Sequence, residues 1–147
     1  TCGAVTSLAY TMLSAAEVGN SPPRRGVNII VRRPAQTAQF LAAVFGLYPN
    51  LLSADFAHIR YQNDIFQLHS DTSFAAHPSY PLLPENPPRS ADIKIRLYNS
   101  NPDQPCTQAQ AYGYMVLTPA TDKPHGLLKA TILCPDVYIW VPSHPLA

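Results

Sequence analysis

The apolar positions of this chain repeat one pattern twice: a short strand, a helix that ends near a glycine, and further strands. In the first unit, the β-branched run Val27–Val31 is too short for a helix and predicts a strand. The next apolar residues recur at intervals of three and four, which predicts an amphipathic helix over Pro34–Leu47. Pro34 suits its first turn, and Gly46 can adopt the left-handed conformation that ends it.

Strands complete this first unit. The segments Leu51–Tyr61 and Ile65–His69 alternate between apolar and polar residues, which predicts a hairpin with a two-residue turn at Asn63 and Asp64. The segment 71–90 that follows contains five prolines, and this density excludes a central strand or a helix. We therefore predict a linker there.

The second unit repeats the order. Ile93–Leu97 alternates as a strand, and Asp103–Ala111 predicts a helix that Gly113 closes. Three further strands are then expected, at Tyr114–Thr118, Leu127–Leu133 and Tyr138–Val141. The repeat indicates a duplication within one domain rather than a solenoid.

These elements predict an α+β fold. Two βαβββ modules, residues 26–70 and 91–142, are joined by the Pro-rich linker 71–90 and together form one cupped mixed sheet. Residues 1–25 form an N-terminal extension, in which Ser7–Val18 can form a short helix. The rest of the chain is expected to be a single domain.

Composition narrows the function classes. Of 147 residues, 46% are hydrophobic and 13% are charged, a balance typical of a globular domain. The formal net charge is +1, no long run of one sign occurs, and no apolar run is long enough to span a bilayer, so neither nucleic acid nor a membrane is expected as a partner. Three widely spaced cysteines favour reduced thiols in a cytoplasmic protein.

The strand–helix–three-strand order, written twice, resembles the vicinal oxygen chelate superfamily, which includes glyoxalase I, extradiol dioxygenases, and fosfomycin and bleomycin resistance proteins. Three stretches carry the resemblance: Val27–Val31 with the helix ending at Gly46 and Leu47, the segment Gln108–Gly113, and the hairpin Gly126–Tyr138. In that hairpin, the sequence Cys-Pro-Asp-Val at 134–137 stands where the family pattern has Asp-Pro-Asp-Gly.

The resemblance also implies where a metal would be bound. Enzymes of this family hold a divalent ion through side chains on four strands, and their positions correspond here to Gly26, Gln67, Asp92 and Val141. Gly26 and Val141 offer no side-chain donor, whereas divalent sites need three or four converging N, O or S donors. We therefore expect the family fold without the family's metal site, and we expect no cofactor.

Strand alternation selects the side chains that face the cup and directs the alternate residues, Val27 and Ile93 among them, into the core. The candidate ligand-binding residues are Asn28, Ile30, His58, Arg60, Gln67, His69, Asp92, Lys94, Arg96, Ile139 and Val141. The predicted turn places His58 opposite His69 and Arg60 opposite Gln67. Histidines and cations above an apolar floor suit a flat organic ligand with an acidic or polar edge. Alternatively, the charged strand residues lie on a solvated sheet face and the histidines are surface neighbours.

Three functions remain open. The favoured one is a metal-independent protein that sequesters a planar or aromatic, antibiotic-like compound, as bleomycin resistance proteins do, and that forms a homodimer as small members of the family commonly do. The second is a lyase, isomerase or dioxygenase, which uses either a metal bound by His58, His69 and Asp92 or an acid–base pair of His69 and Asp92. The third is a structural or regulatory module whose cup is filled by its own side chains.

Overall fold

The computed structural model describes Ser14 and residues 26–146; apart from Ser14, the helix predicted within the N-terminal extension lies outside these residues. In chain order, the elements are β1 (Val27–Val31), α1 (Pro34–Phe45), β2 (Asn50–Ser53), β3 (Phe56–Tyr61), β4 (Asp64–Ser70), β5 (Ser90–Tyr98), α2 (Asp103–Ala111), β6 (Val116–Lys123), β7 (Leu127–Leu133) and β8 (Tyr138–Pro145). Two short 3₁₀ turns, Thr72–Phe74 and Tyr80–Leu82, lie in the linker.

The strands form two four-stranded mixed sheets with the same topology. Their orders are β1-β4-β3-β2 and β5-β8-β7-β6. In each sheet the first and last strands of the module pair in parallel, and the remaining pairs are antiparallel. The predicted α+β fold of two βαβββ modules is confirmed, with a separate sheet for each module.

Local sequence explains the limits of α1. Pro34 occupies the first turn, where its missing N–H is not needed. Gly46 has φ of +64°, and its N–H donates to the carbonyl of Ala42 while the N–H of Leu47 donates to that of Leu41. These two bonds satisfy carbonyls that the end of the helix would otherwise leave open. The predicted glycine stop is confirmed.

The hairpin β3–β4 differs from its predicted register. Its turn is Gln62-Asn63, because Gln62 adopts φ of +52° and Tyr61 pairs with Asp64. The observed pairs are therefore His58 with Gln67, Phe56 with His69, and Arg60 with Ile65. The predicted turn at Asn63 and Asp64 was wrong by one position. The pairing consequently shifts by two residues, an even number that leaves every side chain on its predicted face.

Several predicted strands also change in extent. The run Leu51–Tyr61 contains two strands, because Ala54 and Asp55 form a tight turn between β2 and β3. In the second module, β6 continues through Pro119 to Lys123. A proline is tolerated there because β6 lies at the edge of its sheet and does not need every N–H for a ladder bond.

One apolar core serves both modules. Trp140 of β8 is completely buried and lies with its ring centroid 6.2 Å from that of Phe40 of α1 and 6.3 Å from that of Phe66 of β4. Two strand residues that were expected in this core are not: Val27 is 50% exposed and Ile93 is 56% exposed. Each lies near the start of its strand.

In the described residues, no helix is long and apolar enough to cross a membrane.

A buried carboxylate joins the two modules outside this core. Asp136, in the β7–β8 turn, accepts hydrogen bonds from the backbone N–H of Arg32 at 2.6 Å and from its Nε at 2.7 Å. The hydroxyl of Tyr138 donates to the carbonyl of Ile30 at 2.7 Å. Burial raises the pKa of Tyr138 to about 12, so this hydroxyl keeps its proton. The polar contacts thus fix β1 against the start of β8.

The Pro-rich linker is attached to this junction by a second ion pair. Arg89 binds the carboxylate of Asp71 through both terminal nitrogens, each at 2.7 Å, and its N–H donates to the carbonyl of Asp136. The side chain of Arg89 is 1% exposed. Hydrogen bonding to Asp71 raises the pKa of Arg89 above its ordinary value, so the guanidinium remains charged.

Removing this carboxylate should destabilise the fold. Asp71→Ala leaves the buried guanidinium of Arg89 without its partner, and we expect the free energy of unfolding to fall by about 3 kcal/mol in urea denaturation. Glu85→Ala, which removes an exposed carboxylate from the same linker, is the matched control and should change it little. If Asp71→Ala lowers the free energy of unfolding no more than Glu85→Ala does, the Asp71–Arg89 ion pair does not stabilise the fold.

The turn that positions Asp136 contains a strained residue. The N–H of Val137 donates to the carbonyl of Cys134 at 2.8 Å, and Val137 itself has φ of +59°. Pro135 suits the second position of this turn, but a β-branched residue in the left-handed region is unfavourable. Val137 is the residue that stands where the family pattern has glycine.

Val137→Gly should therefore stabilise the protein. Relief of the left-handed strain outweighs the extra freedom that glycine gives the unfolded chain, and we expect a gain of about 1 kcal/mol in the free energy of unfolding. Val116→Gly, the same substitution in a strand residue whose φ is negative, should destabilise instead. If both variants lose stability, the backbone of Val137 carries no strain.

Candidate functional site

A cavity lies on the open face of the second sheet, the face opposite α2. Its volume is about 330 Å³, and it is lined by Lys94, Arg96, Thr118, Lys123, Lys129, Thr131 and Val141. These side chains come from all four strands of the sheet. We call it the basic cavity, since four of the seven described residues that line it carry positive charge and none of the seven is acidic.

Arg96 is the most constrained cation of the basic cavity. Its guanidinium carbon lies 4.8 Å above the ring centroid of Tyr98, two residues along β5 on the same face. Its Nη2 lies 3.5 Å from the Oγ of Ser143, which β8 places on that face and buries completely. The Nε is buried and has no hydrogen-bond partner among the described residues. The side chain is thus positioned while part of its donor capacity is unused.

Lys129 shows that the positive charges are close enough to interact. The pKa of Lys129 is lowered, first by partial burial and then by the charges of Arg96, Lys123 and Lys94. Neither ion pair formed by the described residues involves the cavity, since these pairs are Arg32–Asp136 and Arg89–Asp71. The cavity is therefore a region of concentrated positive charge that no ion pair among the described residues neutralises.

The open face of the first sheet has a different character. The Nε2 of His69 donates to the Oε1 of Gln67 at 3.1 Å, and the imidazole lies between two aromatic rings, with centroids 4.9 Å from Phe56 and 5.2 Å from Phe74. His58 is buried, and its Nδ1 has no hydrogen-bond partner within the described ranges. Both histidines are therefore held in surroundings that favour a neutral ring.

Burial lowers the pKa of His58 and of His69, and the charge of Arg60 lowers that of His58 further. A neutral imidazole has no charge that attracts an anion. One of its ring nitrogens can donate a hydrogen bond and the other can accept one. The two histidines of the first sheet are thus polar, uncharged groups, whereas the second sheet presents a cluster of charges.

The structure divides the predicted site residues between the two sheets. Lys94, Arg96 and Val141 line the basic cavity, and Ile139 pairs with Lys94 on the same face but is buried. On the open face of the first sheet lie Asn28, Ile30, His58, Arg60, Gln67 and His69, with Asn28 paired with Gln67 and Ile30 with His69. Asp92 lies in an irregular part of β5 and is exposed.

The metal-ligand positions of the family do not form a donor set here. Gly26 has no side chain, Val141 is a buried apolar residue, and Asp92 is exposed. Gln67 bonds to His69. In the part of the chain that the structure describes, no group of three or more His, Cys, Asp or Glu side chains could hold a metal ion. The alternative set of His58, His69 and Asp92 is accordingly not brought together.

Four lining residues were missing from the sequence prediction: Thr118, Lys123, Lys129 and Thr131. On β7, Lys129 and Thr131 alternate with the buried Ala130 and Ile132, and this signal could have identified them. Thr118 pairs with Thr131, but the register between β6 and β7 is irregular, so the sequence pattern does not predict this pair.

Cys106 and Cys134 are free and buried, and burial raises the pKa of each thiol.

The two histidines should make stability depend on pH. Because their pKa values are lowered from 6.5 in the folded protein, the unfolded chain binds more protons below that pH. Their contribution is fully present above pH 6.5 and is lost as the pH falls through the folded pKa values. We expect the free energy of unfolding to fall between about pH 7 and about pH 5.

The variant His58→Gln, His69→Gln tests the source of this loss. It should show a smaller decrease in the free energy of unfolding over the same pH range, measured by urea denaturation. Replacing His125, which is exposed in the β6–β7 turn, with Gln is the matched control and should leave the pH dependence unchanged. An unaltered slope in the double variant would assign the dependence to other groups.

Comparison with solved structures finds this architecture in proteins of low sequence identity. A glyoxalase/bleomycin resistance protein/dioxygenase from Nocardioides has a TM-score of 0.65 at 18% identity, over 85% of this chain and 84% of that chain. A glyoxalase/bleomycin resistance protein/dioxygenase family enzyme from Burkholderia phytofirmans PsJN has a TM-score of 0.70 at 14% identity, over 82% and 97%. A lactoylglutathione lyase from Agrobacterium tumefaciens has a TM-score of 0.61 at 15% identity, over 84% and 95%.

No protein-family model matches the chain, and no curated protein matches its sequence. At these identities, similarity to solved structures establishes the fold and leaves the activity open. The repeated βαβββ topology and nearly full-length superposition agree on one result. This chain has the fold of the glyoxalase, bleomycin resistance and dioxygenase proteins, the vicinal oxygen chelate fold.

Proposed function

We propose that this protein binds a small organic molecule in the basic cavity, without a resident metal ion. The observation that carries the proposal is a cavity of about 330 Å³ whose lining combines cations, threonine hydroxyls and the apolar Val141. Small-molecule sites typically occupy about 300–1,000 Å³ and combine apolar surface with a few placed polar groups. A planar or aromatic ring packed near Val141, with an acidic edge directed at the cations, satisfies both parts of this lining.

The absence of a fitting donor set supports the metal-independent form of the proposal over the enzymatic one. Two of the four family positions are Gly26 and Val141, which offer no side-chain donor. The acid–base alternative of His69 and Asp92 gains no support either: the two lie on different sheets, and His69 is bonded to Gln67. Sequestration, which requires only binding, is the function that these side chains can perform.

We propose in addition that the protein acts as a homodimer in the cytoplasm. Large apolar side chains are exposed beside and along the edge strand β6, where Tyr112 is 63%, Met115 62% and Leu117 56% exposed. Such a group of residues is suited to a contact between two copies. Light scattering coupled to size-exclusion chromatography measures the mass directly, and a monomer at micromolar concentration would refute this part.

Metal independence has a direct test. After dialysis against a mixture of magnesium, manganese, iron and zinc salts, then against metal-free buffer, elemental analysis should find far less than one ion per chain. Binding of planar aromatic acids, measured by thermal shift and calorimetry, should be the same before and after treatment with a chelator. A stoichiometric metal, or ligand binding that the chelator abolishes, would refute the proposal.

The location of the ligand needs a separate variant. Thr131→Trp fills the basic cavity and should abolish binding of the same aromatic acids. Thr107→Trp, at an exposed position on α2, is the control for surface tryptophan and should bind as the unmodified protein does. Retained binding in Thr131→Trp would place the ligand elsewhere.

A further inference from the structure

The lysines of this protein are concentrated in one place. The chain contains three, Lys94, Lys123 and Lys129, and all of them line the basic cavity together with Arg96. The whole chain has a formal net charge of only +1, with ten cationic and nine acidic residues. Four of the ten cations therefore share one cavity, and none of the described residues that line it is an aspartate or glutamate. A uniformly basic surface cannot account for this distribution.

The cations are also held, rather than free in solvent. Lys123, Lys129 and Arg96 are each half-buried, and only Lys94 is exposed. The guanidinium of Arg96 lies over Tyr98 and its Nε is buried without a partner in the described part of the chain. A cationic donor that is buried without a partner, as the Nε of Arg96 is, costs free energy, and this arrangement is not expected on a sheet face that only contacts solvent.

The spacing of the charges determines what would neutralise them. Burial lowers the pKa of Lys129, and the positive charges of Arg96, Lys123 and Lys94 lower it further, so the four cations are close enough to interact. A ligand with a single negative charge would leave most of this repulsion in place. A group with two negative charges and three oxygen acceptors can contact several cations at once, as phosphoryl groups do with lysine and arginine.

We propose that the basic cavity recognises a dianionic phosphoryl-type group, a phosphate monoester or a phosphonate, carried on a small organic molecule. Arg96 and Lys129 are its principal contacts. Lys94 and Lys123 complete the charge balance, and the hydroxyls of Thr118 and Thr131 are available as further donors. The inference rests on the proposed function and gives the acidic edge of its ligand a definite chemistry.

Two ligands of the same shape but different charge test whether the cavity recognises the charge of the group or only its shape. Phenyl phosphate and phenyl sulfate both present three terminal oxygens, but at about pH 7.5 the first is a dianion, since its second pKa is about 6, and the second is a monoanion. Calorimetry should show that phenyl phosphate binds at least about tenfold more tightly than phenyl sulfate. Equal affinities would overturn the inference.

Two further ligands identify the source of the group. Inorganic phosphate should bind more weakly than phenyl phosphate, because the ring adds contact with Val141; equal binding would assign the site to the free ion and overturn the organic ligand. Benzoate tests the proposed function on its own. If benzoate binds in the cavity and phenyl phosphate binds no better, the proposed function stands and the dianion fails; if no ligand binds, both fail.

Matched variants then assign the contacts. Lys129→Gln should weaken phenyl phosphate binding on the order of tenfold and phenyl sulfate binding less, because removing one charge costs a dianion more. Arg33→Gln removes one charge from an exposed position before α1 and should change neither affinity. If Arg33→Gln has the same effect as Lys129→Gln, binding follows net charge and the inference is wrong.

Amine acylation gives a readout that does not depend on affinity. Because every lysine lies in the basic cavity, phenyl phosphate should slow acylation of Lys94 and Lys129, followed by peptide mass spectrometry. Phenyl sulfate at the same concentration is the control and should protect less. Unchanged acylation under saturating phenyl phosphate would show that the ligand binds outside the cavity.

Discussion

Everything in this fold depends on how its two sheets are held together. Among the described strands, β1 pairs only with β4, and β5 only with β8, so no ladder of backbone hydrogen bonds crosses between the sheets. Side chains have to supply that connection. Trp140 and Phe40 do so in the apolar core, and the buried carboxylate of Asp136 does so outside it through two bonds to Arg32. A buried carboxylate stabilises the fold only while it keeps its hydrogen-bonding partners, because without them it is an uncompensated charge.

The same junction explains why the closing hairpin keeps an unfavourable backbone. Asp136 immediately precedes Val137, whose φ of +59° is part of the turn that brings the carboxylate to Arg32. The carbonyl of Asp136 also accepts from Arg89, so one residue anchors β1 and the Pro-rich linker together. The geometry of the turn is thus set by contacts with two separate parts of the chain, Arg32 after β1 and Arg89 at the end of the linker.

Periodicity in the sequence was sufficient to predict both helices and most of the strands, but not the division of Leu51–Tyr61 into two strands or the limits of β6. β1 and β7 match their predicted limits, and α1 ends at the predicted glycine, because each is determined by local alternation or a local cap. The register of β3–β4 was missed, since it depends on a left-handed Gln62, a residue type with no marked preference for that conformation. Val27 and Ile93 were misplaced because periodicity assigns a face but does not show whether a partner covers it.

The candidate site was predictable to a similar degree. Alternation on β5 identified Lys94 and Arg96, which do line the basic cavity. Lys123 and Thr118 could not be found in this way, because β6 has irregular register and lies opposite β7 through pairs that only the folded chain defines. The metal positions were judged from residue chemistry alone, and that judgement stays a prediction; among the described residues no group of three or more His, Cys, Asp or Glu side chains could hold a metal ion instead.

The placement of the lysines has a practical consequence for anyone who handles this protein. Outside the basic cavity the chain has no lysine side chain, so amine-reactive dyes, crosslinkers and sensor surfaces would attach largely within the cavity itself. Such attachment removes the positive charges and fills the space that a ligand would occupy. A labelled or immobilised sample could then be fully folded and still bind nothing, which makes thiol or tag-based attachment the sounder choice.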